Sequence, residues 1–420
     1  MRIFWTGLIA LSLDVLTGAG EAITQEVYVW QRQFTPDVYE SVNAAHEKVA
    51  AFAVLAAEIG WSGKQPTLFR SPVSYTRLAA ARRPIAVVLR IGPYSGTFAQ
   101  GDRVGTYLAE TAAAILQVAK TEGVNPVELQ VDFDCASSKL AGYREWLKAL
   151  RIAVAPAKLV FTALPDWLMR RDFSALAQAA DGYVLQVHSL EKPDGIETHF
   201  QLCDPERSWA WIEKAAEVGV PFRVALPTYG YRLAFDPSGK FIALGAEGIA
   251  PPWPAGTQVR FVHANADDMA RLAVKIAREK PANCRGIIWF RLPVSGDELN
   301  WDLITFNALL EGRTPISRLV VETRWTAPGL AEISLVNAGE RDEALPDKIL
   351  ARWADGEPPQ TMDGLGGYST AFDSFHGETM TLTPRSSLAG KVIAPGRVRK
   401  IGWLHFNHET TLFSEIVVSP

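Results

Sequence analysis

Glu128-Leu-Gln-Val-Asp-Phe-Asp-Cys135 reads as a β-strand that carries polar groups where a strand ordinarily carries packing. Side chains in a strand alternate faces, so Gln130, Asp132 and Asp134 share one side while Val131, Phe133 and Cys135 share the other. The two aspartates stand roughly 6 to 7 Å apart at Cα, from the strand rise. Unpaired charge is costly to bury, so the acidic face is expected to open toward solvent or a ligand. Cys135, on the opposite face, is expected in the core.

Working outward from this strand, β-rich runs alternate with helical patterns from residue 26 to about 312. The eight runs are Val27 to Gln33, Ala50 to Ala57, Ile85 to Ile91, Glu128 to Asp134, Lys158 to Leu164, Gly182 to His188, Phe222 to Pro227 and Gly286 to Leu292. Leu108, Ala112, Ile115 and Ala119 recur at helical spacing before Gly123. Asp204-Pro205 is a cap followed by a good first-turn residue, and Tyr143, Trp146, Leu147 and Leu150 mark a further helix. Alternation of this kind predicts an α/β fold, a (β/α)8 TIM barrel. Between the seventh and eighth strands, Arg232 to Leu244 surround Asp236-Pro237-Ser238-Gly239, which predicts a β-hairpin that either walls the barrel mouth or covers an edge.

From about residue 317 only strands and turns remain: Arg318 to Trp325, Ala331 to Asn337, Ile349 to Ala354, Thr379 to Thr383 and Lys400 to Phe406. This predicts a small C-terminal antiparallel β-sandwich. It shows no clear aromatic stripe, and packing against the barrel is its expected role. The expected division is residues 1–22 as a signal peptide, 23–316 as the barrel and 317–420 as the sandwich. The signal-peptide expectation rests on Arg2, the apolar run from Ile3 to Leu16 and Gly18-Ala19-Gly20, although Asp14 interrupts the run. It implies a periplasmic or secreted protein without an integral membrane segment beyond that signal.

With 42 basic against 46 acidic residues and a net charge of -4, no basic run marks a nucleic-acid partner. Three cysteines, Cys135, Cys203 and Cys284, match no zinc-ligand spacing and allow at most one disulfide. No metal or other cofactor is expected.

Active sites of barrels of this class lie at the C-terminal ends of the strands. Polar residues collect there: Gln130, Asp132 and Asp134 on the fourth strand, Gln186 and His188 on the sixth, Arg291 on the eighth, Arg90 on the third, and Glu58 closing the second. Aromatic rings fall at the same ends, namely Trp30, Trp61, Trp167, Trp289, Tyr94, Tyr229 and Tyr231. Rings beside carboxylates and amides suit a carbohydrate, which offers C–H faces for stacking and hydroxyls for hydrogen bonds. Each residue has a plainer reading. The aspartates could order loops or pair with Arg90, His188 could be a satisfied structural group, and the rings could be core. Asp134 and Asp132 are the expected catalytic pair, because close carboxylates repel and one should retain a proton. Gln130, Gln186, His188, Arg291, Trp289, Trp30, Trp167 and Tyr229 are the expected substrate-binding set.

At Val27-Tyr-Val-Trp-Gln-Arg32, Gln130-Val-Asp-Phe-Asp134, Thr162-Ala-Leu-Pro-Asp-Trp167, Gln186-Val-His188, Leu226-Pro-Thr-Tyr-Gly230 and Phe290-Arg-Leu-Pro293 the chain resembles a bacterial family known as a domain of unknown function, DUF3142. More remotely, its fourth strand is similar to that of chitinase-type glycoside hydrolases, whose pattern is Asp-x-x-Asp-x-Asp-x-Glu. Asp132 and Asp134 fall on the second and third acidic positions, while Leu129 and Ala136 occupy the first and last. That last position holds the general acid of those enzymes, so the resemblance implies the fold and a carbohydrate but not their substrate-assisted mechanism. Two functions are therefore carried forward: an exported glycoside-hydrolase-like protein acting on a polysaccharide or glycan, and a non-catalytic glycan-binding barrel. A metal-dependent hydrolase using Asp132, Asp134 and His188 is a more distant third, since no paired-histidine motif accompanies them.

Overall fold

A computed structural model describes residues 23–417, apart from residue 64 and segments 99–100, 247–252, 355–356, 374–378 and 389–390. The expected signal peptide lies outside the described residues.

Eight parallel strands carry the barrel: β1 (Thr24–Val29), β2 (Phe52–Ser62), β3 (Ile85–Ile91), β4 (Glu128–Phe133), β5 (Lys158–Ala163), β6 (Gly182–Gln186), β7 (Phe222–Pro227) and β8 (Cys284–Phe290). Each pairs with the next in chain order, and β1 pairs with both β2 and β8, so the sheet closes on itself. The interior is filled by small and branched residues, among them Ala53, Leu55, Ala86, Val88, Val160, Val184, Ala225 and Ile288, capped by Tyr28 and Trp30. The opposite strand faces, with Val131, Phe133 and Cys135 of the central motif, pack under the helices. Burial on both sides explains why most of these strands read as continuous apolar runs.

The helices end where local chemistry dictates. Arg103–Thr121 starts on Asp102, whose carboxylate accepts the Gly105 N–H at 2.5 Å, and stops before Gly123, which has a φ of 87°. Pro205–Ala216 starts on Asp204, which accepts the N–H groups of Glu206 and Arg207. Leu140–Val154 buries Tyr143, Trp146, Leu147 and Leu150, the four residues whose spacing announces it.

Two extensions rise beyond the barrel rim. β2 runs on to pair with an antiparallel strand, Gln65–Arg70. The expected hairpin after β7 is instead a three-stranded antiparallel sheet, Gly230–Phe235 flanked by Phe241–Gly245 and Gln258–His263. Its third strand was missed because it follows the Pro-rich stretch Pro251-Pro-Trp-Pro254 and alternates only weakly.

Beyond the last barrel helix, Leu303–Leu310, two four-stranded antiparallel sheets pack face to face. Their core contains Ile333, Leu335, Ile349, Leu382, Ile401 and Leu404. Strands Thr361–Gly364, Tyr368–Asp373 and Leu412–Val417 were not anticipated from the sequence. The first is short, and the first and last are only half-buried, so each carries little apolar patterning. Among the described residues no helix is long and apolar enough to cross a membrane.

Candidate active site

The inward face of β4 is a column of four polar residues, Glu128, Gln130, Asp132 and, just past the strand end, Asp134. At the N-terminal end of the barrel, Arg223 of β7 makes ion pairs with both Glu26 of β1 and Glu128, all three side chains nearly excluded from water. One level up, the Tyr28 hydroxyl donates to Gln130 Oε1 at 2.7 Å, leaving the amide Nε2 buried without a partner. Above it, the Thr162 hydroxyl donates to Asp132 Oδ1 at 2.9 Å, and Arg90 Nε stands 3.7 Å from Asp132 Oδ2. Burial raises the Asp132 pKa, partly countered by Arg90 and Thr162.

Asp134 tops the column. It is exposed, and no hydrogen bond or ion pair holds it among the described residues. Protein nevertheless crowds its carboxyl, and this desolvation, together with Asp132 and Asp166, raises its pKa to about 6 despite Arg90. A carboxyl group that keeps its proton up to about pH 6 beside a second, hydrogen-bonded carboxyl is the arrangement that acid catalysis can use.

Asp132 and Asp134 open into a cavity of about 330 Å³ at the C-terminal mouth of the barrel. Its walls include Tyr28, Trp30, Arg90, Thr162, Gln186, His188, Tyr229 and Phe290, and its outer side is closed by Tyr231, Leu244 and Ala246 of the sheet inserted after β7. The sheet is thus a wall of the cavity. Tyr28, Trp30 and Phe290 form an edge-on cluster with ring centroids 5.0 to 5.6 Å apart, and Tyr229 lies 5.4 Å from Phe290.

His188 is 4% exposed, and burial alone lowers its pKa to about 3, so the imidazole is neutral. Its Nδ1 meets the Tyr229 hydroxyl at 3.3 Å, which continues through Tyr231 at 3.1 Å to Ser189. Its Nε2 is buried with no partner. Buried polar atoms without partners are rare in folded proteins, and here two, on Gln130 and His188, lie in or just beneath one cavity. Gln186 lines the cavity and donates to the His188 carbonyl at 3.3 Å.

Four expected ligand contacts do not line this cavity: Gln130, wholly buried, lies beneath it, and Trp289, Trp167 and Arg291 lie elsewhere. Trp289 alternates with the inward Ile288 and Phe290, so it faces the helices and packs on Trp301 and Phe306, its N–H donating to Gln25. Trp167, in the short helical turn Pro165–Met169, is fully buried against Tyr143. Arg291 lies past β8 and turns away to Asp297 at 2.6 Å. Trp61 and Tyr94 meet at a tilt with ring centroids 4.5 Å apart and lead through Phe98 to Trp146, again on the helix side. Tryptophan count at strand ends therefore overstated the cavity, because strand parity puts every second ring under the helices.

Glu58 takes Arg32 through two hydrogen bonds of 2.5 and 2.8 Å and stands 3.6 Å from Arg90, one step behind the aspartates. Tyr28, Thr162 and Phe290 escaped the sequence reading, although inward parity on their strands was the signal that could have found them. A larger cavity of about 660 Å³ lies where His263, Trp301 and Asp302 face Asp342 and Arg397 of the sandwich. No residue lining it has a buried polar side-chain atom without a partner. Size alone does not make it the better site. Among the described residues no group of three or more His, Cys, Asp or Glu is placed to hold a metal ion.

The model of a domain of unknown function, DUF3142, matches residues 81–295, and a second, DUF8456, also of unknown function, matches residues 320–407. No curated protein matches the chain. Among solved structures, the spore cortex-lytic enzyme SleL of Bacillus megaterium QM B1551 is similar at 14% identity and a TM-score of 0.50, over 71% of this chain and 75% of that one. A chitinase from Chromobacterium violaceum ATCC 12472 has 16% identity and a TM-score of 0.48, over 69% of this chain and 98% of its own. The GH18 chitinase ChiB of Flavobacterium johnsoniae has 12% identity and a TM-score of 0.45, over 69% of this chain and 94% of its own. At such identities the likeness to SleL is one of barrel fold. With just over half of its length matched, the chain belongs to the DUF3142 family.

Proposed function

We propose that the barrel-mouth cavity takes a glycan and that Asp134 supplies the proton when a glycosidic bond is cleaved. One observation carries this reading: Asp134 opens into an aromatic-walled cavity, with no hydrogen bond or ion pair among the described residues and its pKa raised to about 6. Asp132, held by Thr162, helps raise the pKa of Asp134 by like-charge repulsion and stabilises the positive charge that develops on the sugar ring. Trp30 and Tyr229 supply faces for the ring. Gln186 and His188, both in the lining, supply hydrogen bonds to hydroxyls. The barrel fold hosts many chemistries, so its likeness to a spore cortex-lytic enzyme adds only a compatible scaffold.

Ala136 favours a second reading. It stands where chitinase-type enzymes carry their general acid, and a cavity without that acid suits glycan binding without cleavage. A panel of bacterial and plant glycans, scored for both binding and products, separates the two. Under the first reading Asp134→Asn lowers turnover at least about a hundredfold, the scale of a lost general acid, while the protein still binds substrate. Unchanged turnover removes Asp134 from the mechanism, and binding without products from the unaltered protein supports the second reading.

The apolar N-terminal stretch further supports export to the periplasm or medium. Cell fractionation with N-terminal sequencing of the mature protein tests this, and a cytoplasmic chain retaining Met1 refutes it.

A further inference from the structure

Ser189 leaves the end of β6 with a φ of 60°, in the left-handed region that a side-chain-bearing residue seldom occupies. The turn is held on both sides. Its N–H donates to the Leu202 carbonyl at 2.9 Å, and the Gln186 amide donates to the carbonyl of His188. In that turn the Ser189 hydroxyl meets the hydroxyl of Tyr231, which stands on the sheet inserted after β7. The chain of polar contacts runs on from Tyr231 to Tyr229 at 3.1 Å, and from Tyr229 to His188 Nδ1 at 3.3 Å. All four residues line the cavity.

Each hydroxyl in this chain has one proton to give, so the direction of donation is set for the three contacts together. An imidazole nitrogen accepts more strongly than a phenol oxygen, and a phenol donates more strongly than an aliphatic hydroxyl. The favoured order is therefore Ser189 to Tyr231, Tyr231 to Tyr229, and Tyr229 to Nδ1. With Nδ1 accepting, the proton of a neutral ring sits on Nε2. Burial keeps this ring neutral, its pKa lowered to about 3, and the ring stacks on Phe290 with centroids 5.6 Å apart. Nε2 is buried and has no partner among the described residues. A buried N–H in that state costs free energy that a ligand oxygen relieves.

We propose that Ser189 and Tyr231 are positioning residues that act through Tyr229 to hold His188 as its Nε2–H tautomer, so that the cavity wall offers an uncharged hydrogen-bond donor to a ligand oxygen. The tautomer is a property of the free protein, whereas the identity of that oxygen as a saccharide's rests on the reading given above. Because Ser189 belongs to the barrel and Tyr231 to the inserted sheet, the donor depends on the sheet being seated against the rim.

Long-range proton–nitrogen NMR of ring-labelled histidine at about pH 7, with His188→Gln to assign the signals, reads the tautomer directly. Nε2 is expected to carry the proton and Nδ1 to be bare; a protonated Nδ1 overturns the proposal. Tyr231→Phe and Ser189→Ala are each expected to draw the two ring-nitrogen signals together as the Nδ1–H form becomes populated. Signals unmoved in both variants overturn the positioning role, since a merely structural part would not reach the ring proton. The ligand side is read by calorimetric titration with cellotetraose and N-acetylated chitotetraose. His188→Leu, which has no donor, is expected to weaken whichever tetrasaccharide binds at least about tenfold, equivalent to about 1.4 kcal/mol, while His188→Gln, whose amide keeps an N–H, loses under about threefold. Equal losses overturn donation to the ligand. Binding of neither tetrasaccharide by the unaltered protein overturns the saccharide reading and leaves the tautomer as NMR finds it.

Discussion

The two ends of the barrel interior place carboxylates on the same face of the same strand and treat them in opposite ways. At the closed end, Glu128 and Glu26 share Arg223, and all three are nearly excluded from water. At the open end, Asp132 has one hydroxyl and a distant guanidinium, while among the described residues Asp134 has neither hydrogen bond nor ion pair. Buried charge persists only when it is compensated. The closed end meets that condition within the chain, and the open end leaves it to solvent, a proton or a ligand. An acidic residue on a barrel strand thus says little about function until its partners are known.

The comparison breaks most visibly at Arg223. Arg223→Met leaves Glu26 and Glu128 buried without a cation, and should destabilise the protein by about 3–5 kcal/mol, read as a lower midpoint in chemical denaturation. If the loss is under about 1 kcal/mol, the closed end is not the compensated cluster described here.

Tyr28→Phe probes the level between the two ends. It strands Gln130 Oε1, the acceptor of the 2.7 Å hydrogen bond, and should cost about 1–3 kcal/mol, the desolvation of an unpaired buried amide. A neutral outcome would mean that water already serves Gln130.

The smallest effect on stability is expected at the open end. Below about pH 4, where the unaltered side chain is uncharged like Asn, Asp134→Asn should change stability by no more than about 0.5 kcal/mol, as for a side chain with no partner to lose. Its sign should depend on pH. The folded pKa of about 6 lies above the ordinary aspartate value of 3.8. The fold therefore binds this proton more tightly than the unfolded chain, a contribution fully present below pH 3.8 and lost as pH rises through about 6. The Asn variant, lacking that dependence, should gain relative to the unaltered protein above pH 6. Carbon-detected NMR titration of Asp134 gives the same pKa directly, and Asp132→Asn should lower it by removing a like charge. A titration in the ordinary aspartate range would discard Asp134 as a proton donor near neutrality.

Much of this was legible in the chain. β3 and β7 run over Ile85–Ile91 and Phe222–Pro227, the spans their apolar runs mark, because both faces of a barrel strand are buried. β1 spans Thr24–Val29 rather than Val27 to Gln33, since Trp30-Gln-Arg32 continues the pattern past the point where pairing stops. Asp132, Asp134, Gln186, His188, Trp30 and Tyr229 were named from sequence and line one cavity, and Gln130 lies beneath it. Trp289, Trp167 and Arg291 were named by the same logic and do not line it. A polar residue on an apolar strand is conspicuous, whereas an aromatic residue is equally at home on either face.

By itself the sequence determined the alternation of strands and helices, the closed barrel with its β-rich tail, and the inward acidic face of β4, because these follow from periodicities of two and 3.6 residues in the local chain. Only the tertiary structure decided which acids are neutralised. Arg223 reaches Glu26 and Glu128 across 197 and 95 residues of chain, and no local pattern encodes a partner that distant. The carboxyl of Asp134, without a hydrogen bond or ion pair among the described residues, is the complement of that pairing and is visible only in the folded chain.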